Sequence, residues 1–135
     1  MEHYLLDTSA LVTLRDDEDG ADRVASLLRK AQKGSATLYV SFMSFMEILY
    51  CTWREEGKGS ALKAYLELKM LPLHRIDLSE NLLMLAGEIK ATHSLSLADS
   101  WIAATALEKK ATLVHKDPEF DQLKGKLEME ALPYK

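Results

Sequence analysis

Cysteine, proline and glycine are scarce in this chain of 135 residues, with one, three and six copies respectively. A single thiol forms no intrachain disulfide and supplies no zinc-finger ligand set, so neither framework holds the fold. Cys51 lies in an apolar helical stretch and is expected to be buried and unreactive. Long hydrophobic runs are also lacking. The most apolar stretch, residues 42–53, is broken by Ser44 and Glu47, and the chain does not open with a basic segment followed by an apolar run. Neither a signal peptide nor a membrane span is expected, and the expected location is cytoplasmic. Nor is there a strong charge of one sign. The net charge of −4 is concentrated in residues 1–20, which hold six acids and one base, leaving fifteen acids and sixteen bases in the remainder. A strongly basic footprint for nucleic acid is absent, while a local basic patch on this near-neutral body is not excluded.

What is present is an ordinary globular composition, 47% hydrophobic and 28% charged. One domain spanning 1–135 is expected, long enough to bury roughly two thirds of its unfolded surface. The chain is organised around Tyr4-Leu5-Leu6-Asp7-Thr8-Ser9-Ala10, a short apolar run that stops at an acid and two hydroxyl residues. This is a buried strand whose last residue, Asp7, stands at its C-terminal end and opens a helix. Further strands are predicted at 37–40, 73–76 and 112–115, with another at 127–131. Helices are predicted near 10–14, 21–31, 44–56, 60–70, 80–92 and 97–107. The acidic run Asp16 to Asp19 reads as a solvated turn that leads into the second helix. This alternation predicts an α/β fold with a central parallel sheet of four to five strands and helices on both faces.

Asp7, Glu47, Asp99 and Asp117 each follow a strand or loop at or just after a helix or turn begins. Each also has a structural explanation: Ser44-x-x-Glu47 and Ser96-x-x-Asp99 match capping boxes, Asp7 can cap its helix, and Asp117-Pro118 is a common cap opening. Taken jointly they say more, because parallel strands place all their C-terminal ends on one edge, where sites in open α/β sheets are built. Glu47 is set among Phe42, Met43, Phe45, Met46, Ile48 and Leu49, where a lone carboxylate is costly without a partner or metal. Converging carboxylates in an oxygen-rich, cysteine-free site suit Mg²⁺, with Mn²⁺ as a substitute.

Read together, Leu5-Leu6-Asp7-Thr8-Ser9-Ala10-Leu11, Glu47, residues 95–106 from Leu95 to Ala106, and Asp117-Pro118-Glu119-Phe120 resemble a PIN domain. The nearest likeness is to the VapC-type toxin ribonucleases of toxin–antitoxin pairs. The resemblance covers nearly the whole chain. It implies a metal-dependent endoribonuclease with Asp7, Glu47, Asp99 and Asp117 as an acidic quartet, a homodimer, and a VapB-type antitoxin that inserts a basic side chain into the acidic cleft. The RNA substrate is carried by the resemblance alone. Within the quartet, Asp7 and Asp99 are the expected direct metal ligands, Asp117 a ligand of a second ion or a contact through water, and Glu47 a positioner of water. Thr8 or Ser9 is expected to support Asp7 by hydrogen bonding. Where many members carry Thr two residues before the last acid, this chain has His115, expected to be packed or solvent-facing rather than catalytic.

Arg54, Lys58, Lys63 and Lys116 are candidates for substrate grip, and Trp53 and Trp101 are expected in the core or a dimer interface. Two other functions fit parts of the pattern. A receiver-like signalling module would also place an Mg²⁺-binding acidic pocket at this sheet edge, with a phospho-accepting acid after a middle strand, for which Asp77 is the available residue. A PIN fold kept for RNA or protein binding without cleavage is the other.

Overall fold

Residues 2–134 are described by a computed structural model. Five parallel strands form one sheet in the order β3-β2-β1-β4-β5: β1 is Glu2–Leu6, β2 Ala36–Ser41, β3 His74–Ile76, β4 Thr112–His115 and β5 Met129–Ala131. Six α-helices connect them: α1 Thr8–Arg15, α2 Ala21–Gln32, α3 Phe42–Glu56, α4 Lys58–Met70, α5 Glu80–Thr92 and α6 Leu97–Lys109. A 3-10 helix, Pro118–Leu123, follows β4. The expected α/β sheet is therefore present, with the final strand included.

Strand alternation splits the interior into two cores. Tyr4 and Leu6 of β1, Leu38 and Val40 of β2 and Val114 of β4 face α1, α2 and the inner sides of α3 and α4. Leu5 and Leu113 point the other way, onto α5, α6 and Phe120 of the 3-10 helix. Helix α6 lies against β1, β2 and β4, and its Ile102, Ala103, Ala104, Thr105 and Ala106 are fully buried. Small side chains let its backbone approach the sheet closely, so the N-terminus of α6 is held over the ends of β1 and β4.

Three features depart from expectation, each for a local reason. Helix α3 starts at Phe42 with Ser41 as its cap, accepting from Met43 N at 3.1 Å. Ser44 is therefore an interior residue of the helix and the expected capping box there does not form. Gly57, with φ of +94°, turns the chain directly from α3 into α4, a conformation glycine adopts without penalty. Cys51, expected to be buried, is exposed. Helix α4 covers only one side of α3, and Met46, Tyr50 and Trp53 share the open side with the thiol. Among the described residues no helix is long and apolar enough to cross a membrane.

Candidate metal centre

Asp7 is the first residue past β1 and caps α1. Its backbone N–H donates to Val114 O at 3.0 Å, which fixes it beside the exit of β4. Carboxylate oxygen Oδ2 accepts from Ser9 N at 3.1 Å and from the Ser9 hydroxyl. The other oxygen, Oδ1, is buried without any hydrogen-bond partner, on a residue only 4% exposed. Burial pushes the carboxyl up from 3.8 to about 6, the Ser9 bonds oppose the rise, and the charge of Glu47 adds to it.

Asp99 lies in the first turn of α6, where its backbone N–H donates to Ser96 Oγ at 3.1 Å in the expected cap. Its carboxyl is pushed up to about 7, first by burial, then by the charges of Asp7 and Asp117, and further by Glu47. The acid expected from each of four separate segments therefore acts on one locus. Asp117 caps the 3-10 helix by accepting from Glu119 N at 2.9 Å. Glu47 sits in the second turn of α3, where Oε1 accepts from Thr8 Oγ1 at 2.6 Å.

The two hydroxyls after Asp7 divide their work. Ser9 holds Asp7, as expected for one of the pair, and its Oγ also accepts from Lys116 N at 2.9 Å, joining the exits of β1 and β4. Thr8 instead holds Glu47 and makes a 2.8 Å contact with Ser44 Oγ. A further acid, Glu119, stands at the cleft, although no sequence pattern assigns it a role. One carboxylate oxygen each of Asp99, Asp117 and Glu119 lies within 4.8 Å of the other two. An exposed glutamate two residues past a capping aspartate carries no pattern of its own; only its place in the turn brings it here.

A family model of the PIN domain matches residues 4–126. The chain belongs to the PIN domain family. Comparison with curated proteins gives no match. Among solved structures, the chain is similar to VapBC2 from Rickettsia felis, bound to a DNA fragment from its promoter. That likeness has 21% identity and a TM-score of 0.76, covering 97% of this chain and 99% of that one. VapBC-1 from nontypeable Haemophilus influenzae has 21% identity and a TM-score of 0.74, over 96% and 97% of the two chains. VapC20 of Mycobacterium tuberculosis, a Sarcin-Ricin loop cleaving toxin, has 18% identity and a TM-score of 0.68, over 88% and 93%. At these identities the likeness is one of fold.

Membership in the PIN family removes the receiver-like reading. Asp77 follows β3, an edge strand rather than a middle one, and is an exposed acid paired with Arg75 at 2.9 Å. The periphery of this PIN domain also corrects two expectations. Lys116 is not free to grip substrate: its side chain is 6% exposed, Nζ donates to Asp19 O at 2.9 Å and lies 3.5 Å from Glu18 Oε1. Glu18 is accordingly not a merely solvated member of the acidic run. Arg54 and Lys58 stack on Tyr50 and Trp53, 5.3 and 5.8 Å from the ring centres, and stay exposed with Lys63. Trp101 packs edge-on to Phe42 beside the second core, whereas Trp53 is 45% exposed and outside either core. His115 is buried against Phe120, and its Nδ1 accepts from Asp117 N at 3.1 Å. Burial lowers its pKa against the opposing charges of Asp117 and Asp121. It is a packed residue that steadies the turn carrying Asp117.

Proposed function

We propose that this PIN domain, one domain over the whole chain, is a divalent-metal-dependent endoribonuclease of the cytoplasm. It acts as the toxin of a type II toxin–antitoxin pair. The observation that carries the reading is the meeting of Asp7, Asp99, Asp117 and Glu47 at one sheet edge, with a buried Asp7 oxygen that has no partner of its own. An anionic oxygen removed from water without compensation is costly, and a cation supplies what the protein does not. The donor set is oxygen only, which fits Mg²⁺ or Mn²⁺ and not a thiophilic ion.

In this reading Asp7, Asp99 and Asp117 hold the ion. Bound there, a divalent cation acidifies a water and offsets the charge that develops on a phosphodiester during hydrolysis. Ser9 fixes the rotamer of Asp7, so that Oδ1 is the oxygen left to donate. Glu47, held by the Thr8 hydroxyl, orients water and accepts its proton. The raised affinity of Asp99 for a proton follows first from burial and then from the neighbouring charges of Asp7 and Asp117, the same crowding that makes the cleft receptive to a cation. RNA as the substrate is supported by the likeness to VapC20, a toxin that cleaves the Sarcin-Ricin loop. Partnership with an antitoxin is supported by the likeness to VapBC complexes. An arginine-bearing segment of such a partner complements the acidic cleft, and a homodimer is the assembly this reading expects.

A panel of structured RNAs, incubated with the protein in Mn²⁺ and in EDTA, tests the proposal. Site-restricted cleavage in Mn²⁺ that EDTA abolishes, with the protein still folded, is expected. Full activity in EDTA would refute the metal role. RNA left intact in Mn²⁺ by a protein that binds it would favour a PIN fold retained for binding alone. A cognate antitoxin should suppress cleavage, less strongly as salt rises.

A further inference from the structure

Strand β5 runs parallel to β4, so the chain that leaves it emerges at the same sheet edge as the acids. That segment is held in place. Leu132 is buried and its N–H donates to His115 O at 2.7 Å. Gly20, at φ of +102°, lets the turn before α2 pack against Leu132 and Pro133, where a Cβ would come within 3.2 Å of each. Tyr134 therefore stands beside the cleft, its ring 6.4 Å from that of buried His115 and 44% exposed. Between this ring and the start of α1 lies an open hollow lined by Thr8, Ser9, Val12, Pro118 and Tyr134. Ser9 is the residue that holds Asp7, so the hollow begins one hydroxyl away from the buried carboxylate.

The walls decide what the hollow takes. Val12, Pro118 and the ring of Tyr134 are apolar. Among the described residues that line it the only cation is Lys116, already engaged by Glu18 Oε1 at 3.5 Å and by the Asp19 carbonyl at 2.9 Å. A phosphate finds no free positive charge there, and the neighbouring acids repel it. Burial raises the pKa of Tyr134, and the charges of Asp121 and Asp117 add to the rise, so the ring presents a neutral face. The volume, about 430 Å³, falls within the roughly 300–1,000 Å³ of clefts that take small molecules. Such walls suit a flat, uncharged group with a π-face, and RNA carries one beside every phosphate. We propose that this hollow is a nucleobase subsite, in which a base next to the scissile phosphate leaves its strand and stacks on Tyr134, with Val12 and Pro118 completing the apolar walls. The proposal rests on the nuclease reading in placing that phosphate at the Asp7 cleft. Stacking tolerates every base, so the subsite grips the strand and requires it to be unpaired at that nucleotide.

The test uses the full chain carrying Glu47→Gln, in Mg²⁺, so that RNA is bound without being cut. The probe is a short single-stranded oligoribonucleotide with one 2-aminopurine, moved along the strand in a series of otherwise identical oligomers. At one position its fluorescence should be quenched on binding, as stacking on an aromatic ring requires. Adding Tyr134→Ala should abolish that quenching and weaken binding roughly 5- to 150-fold, the worth of one lost base stack. Tyr134→Phe keeps the ring and should keep both. An oligomer abasic at that position should bind the unsubstituted ring more weakly, yet cost the Tyr134→Ala protein nothing further. With Glu47 restored, Tyr134→Ala should raise KM for RNA cleavage and leave kcat little changed. Tyr134 is exposed, so Tyr134→Ala should melt as wild type does, which separates a lost subsite from lost folding.

Three results would overturn the proposal: no position quenched, quenching that survives Tyr134→Ala, or Tyr134→Phe that binds as weakly as Tyr134→Ala. A hollow filled instead by an apolar side chain of a protein partner would leave RNA binding indifferent to Tyr134, which also overturns it. Tyr134-dependent quenching by a protein that, with Glu47 restored, leaves RNA intact in Mn²⁺ would sink the nuclease reading and leave a base-binding hollow standing. RNA cleavage with KM indifferent to Tyr134 would sink the subsite alone.

Discussion

Replacing Asp7 by asparagine separates a carboxylate kept for its charge from one kept for its cap. Asparagine ranks beside aspartate as a helix N-cap and retains an acceptor for Ser9 N, so the start of α1 survives. What changes is the ionisation. The ordinary carboxyl titrates near 3.8, and burial raises that of Asp7 to about 6. Below 3.8 both the folded and the unfolded chain hold the proton, and the group has no effect on stability. Between 3.8 and about 6 only the folded chain holds it, and stability falls as pH rises; above 6 both are ionised and the loss is complete. At 1.36 kcal/mol per pH unit the loss amounts to about 3 kcal/mol.

Metal-free Asp7→Asn avoids this loss. It should match wild type near pH 4 and exceed it at pH 8 by up to about 3 kcal/mol, which for a chain of this size is about 10 °C in Tm. Thermal unfolding in EDTA at pH 4, 6 and 8 measures the difference directly. RNA cleavage should be lost in the same variant that gains stability. The reasoning is refuted if Asp7→Asn is destabilised by about 0.3 to 1 kcal/mol, the value of a lost charge–dipole interaction, by the same amount at every pH. That is the behaviour of a cap and nothing more.

Asp99→Asn should also stabilise the metal-free fold, over a window that extends to about pH 7, where its raised carboxyl titrates. The gain should be smaller than the shift suggests, because the group is only partly buried and solvent screens it; the same melts show it, and cleavage should cease. Thr8→Val removes the hydroxyl that holds Glu47 and should lower kcat while costing about 1 kcal/mol of stability; unchanged single-turnover cleavage would show that Glu47 needs no such anchor. Ser41→Ala deletes the observed cap of α3 and should cost about 1 kcal/mol without altering Mn²⁺ affinity, whereas Ser44→Ala, inside the helix, should not act through the cap. Denaturant unfolding of the two variants tells them apart.

The acids at strand ends were legible because topology does the work: once Asp7 ends a strand and the other strands run parallel to it, the caps that follow must meet. Helix α5 and strand β4 were read to the residue, since Ser79 caps the one and a run of β-favouring residues defines the other. The start of α3 was not. Ser41 and Ser44 both satisfy the local chemistry of a cap; in the fold Ser41 takes it by accepting from Met43 N, which leaves Ser44 inside the helix, where it meets Thr8. Cys51 failed for a different reason. Apolar residues wrap most of α3, so periodicity did not reveal which face α4 would leave uncovered. Lys116 was misjudged because its carbonyl partner, Asp19, is distant in sequence. Glu119 was passed over because nothing local distinguishes it from any solvated acid.

The Ser9 hydroxyl has a consequence in entropy. By donating to Asp7 Oδ2 and accepting from Lys116 N, it leaves the carboxylate a single rotamer with one chosen oxygen free. The freedom of that side chain is lost when the chain folds, not when a ligand arrives. Ordering a side chain at the moment of association costs about 0.5 to 1.5 kcal/mol, and Asp7 owes none of it. A cleft built on a freely rotating carboxylate would bind the same ion through the same atoms more weakly, for want of one hydrogen bond that touches neither ion nor substrate.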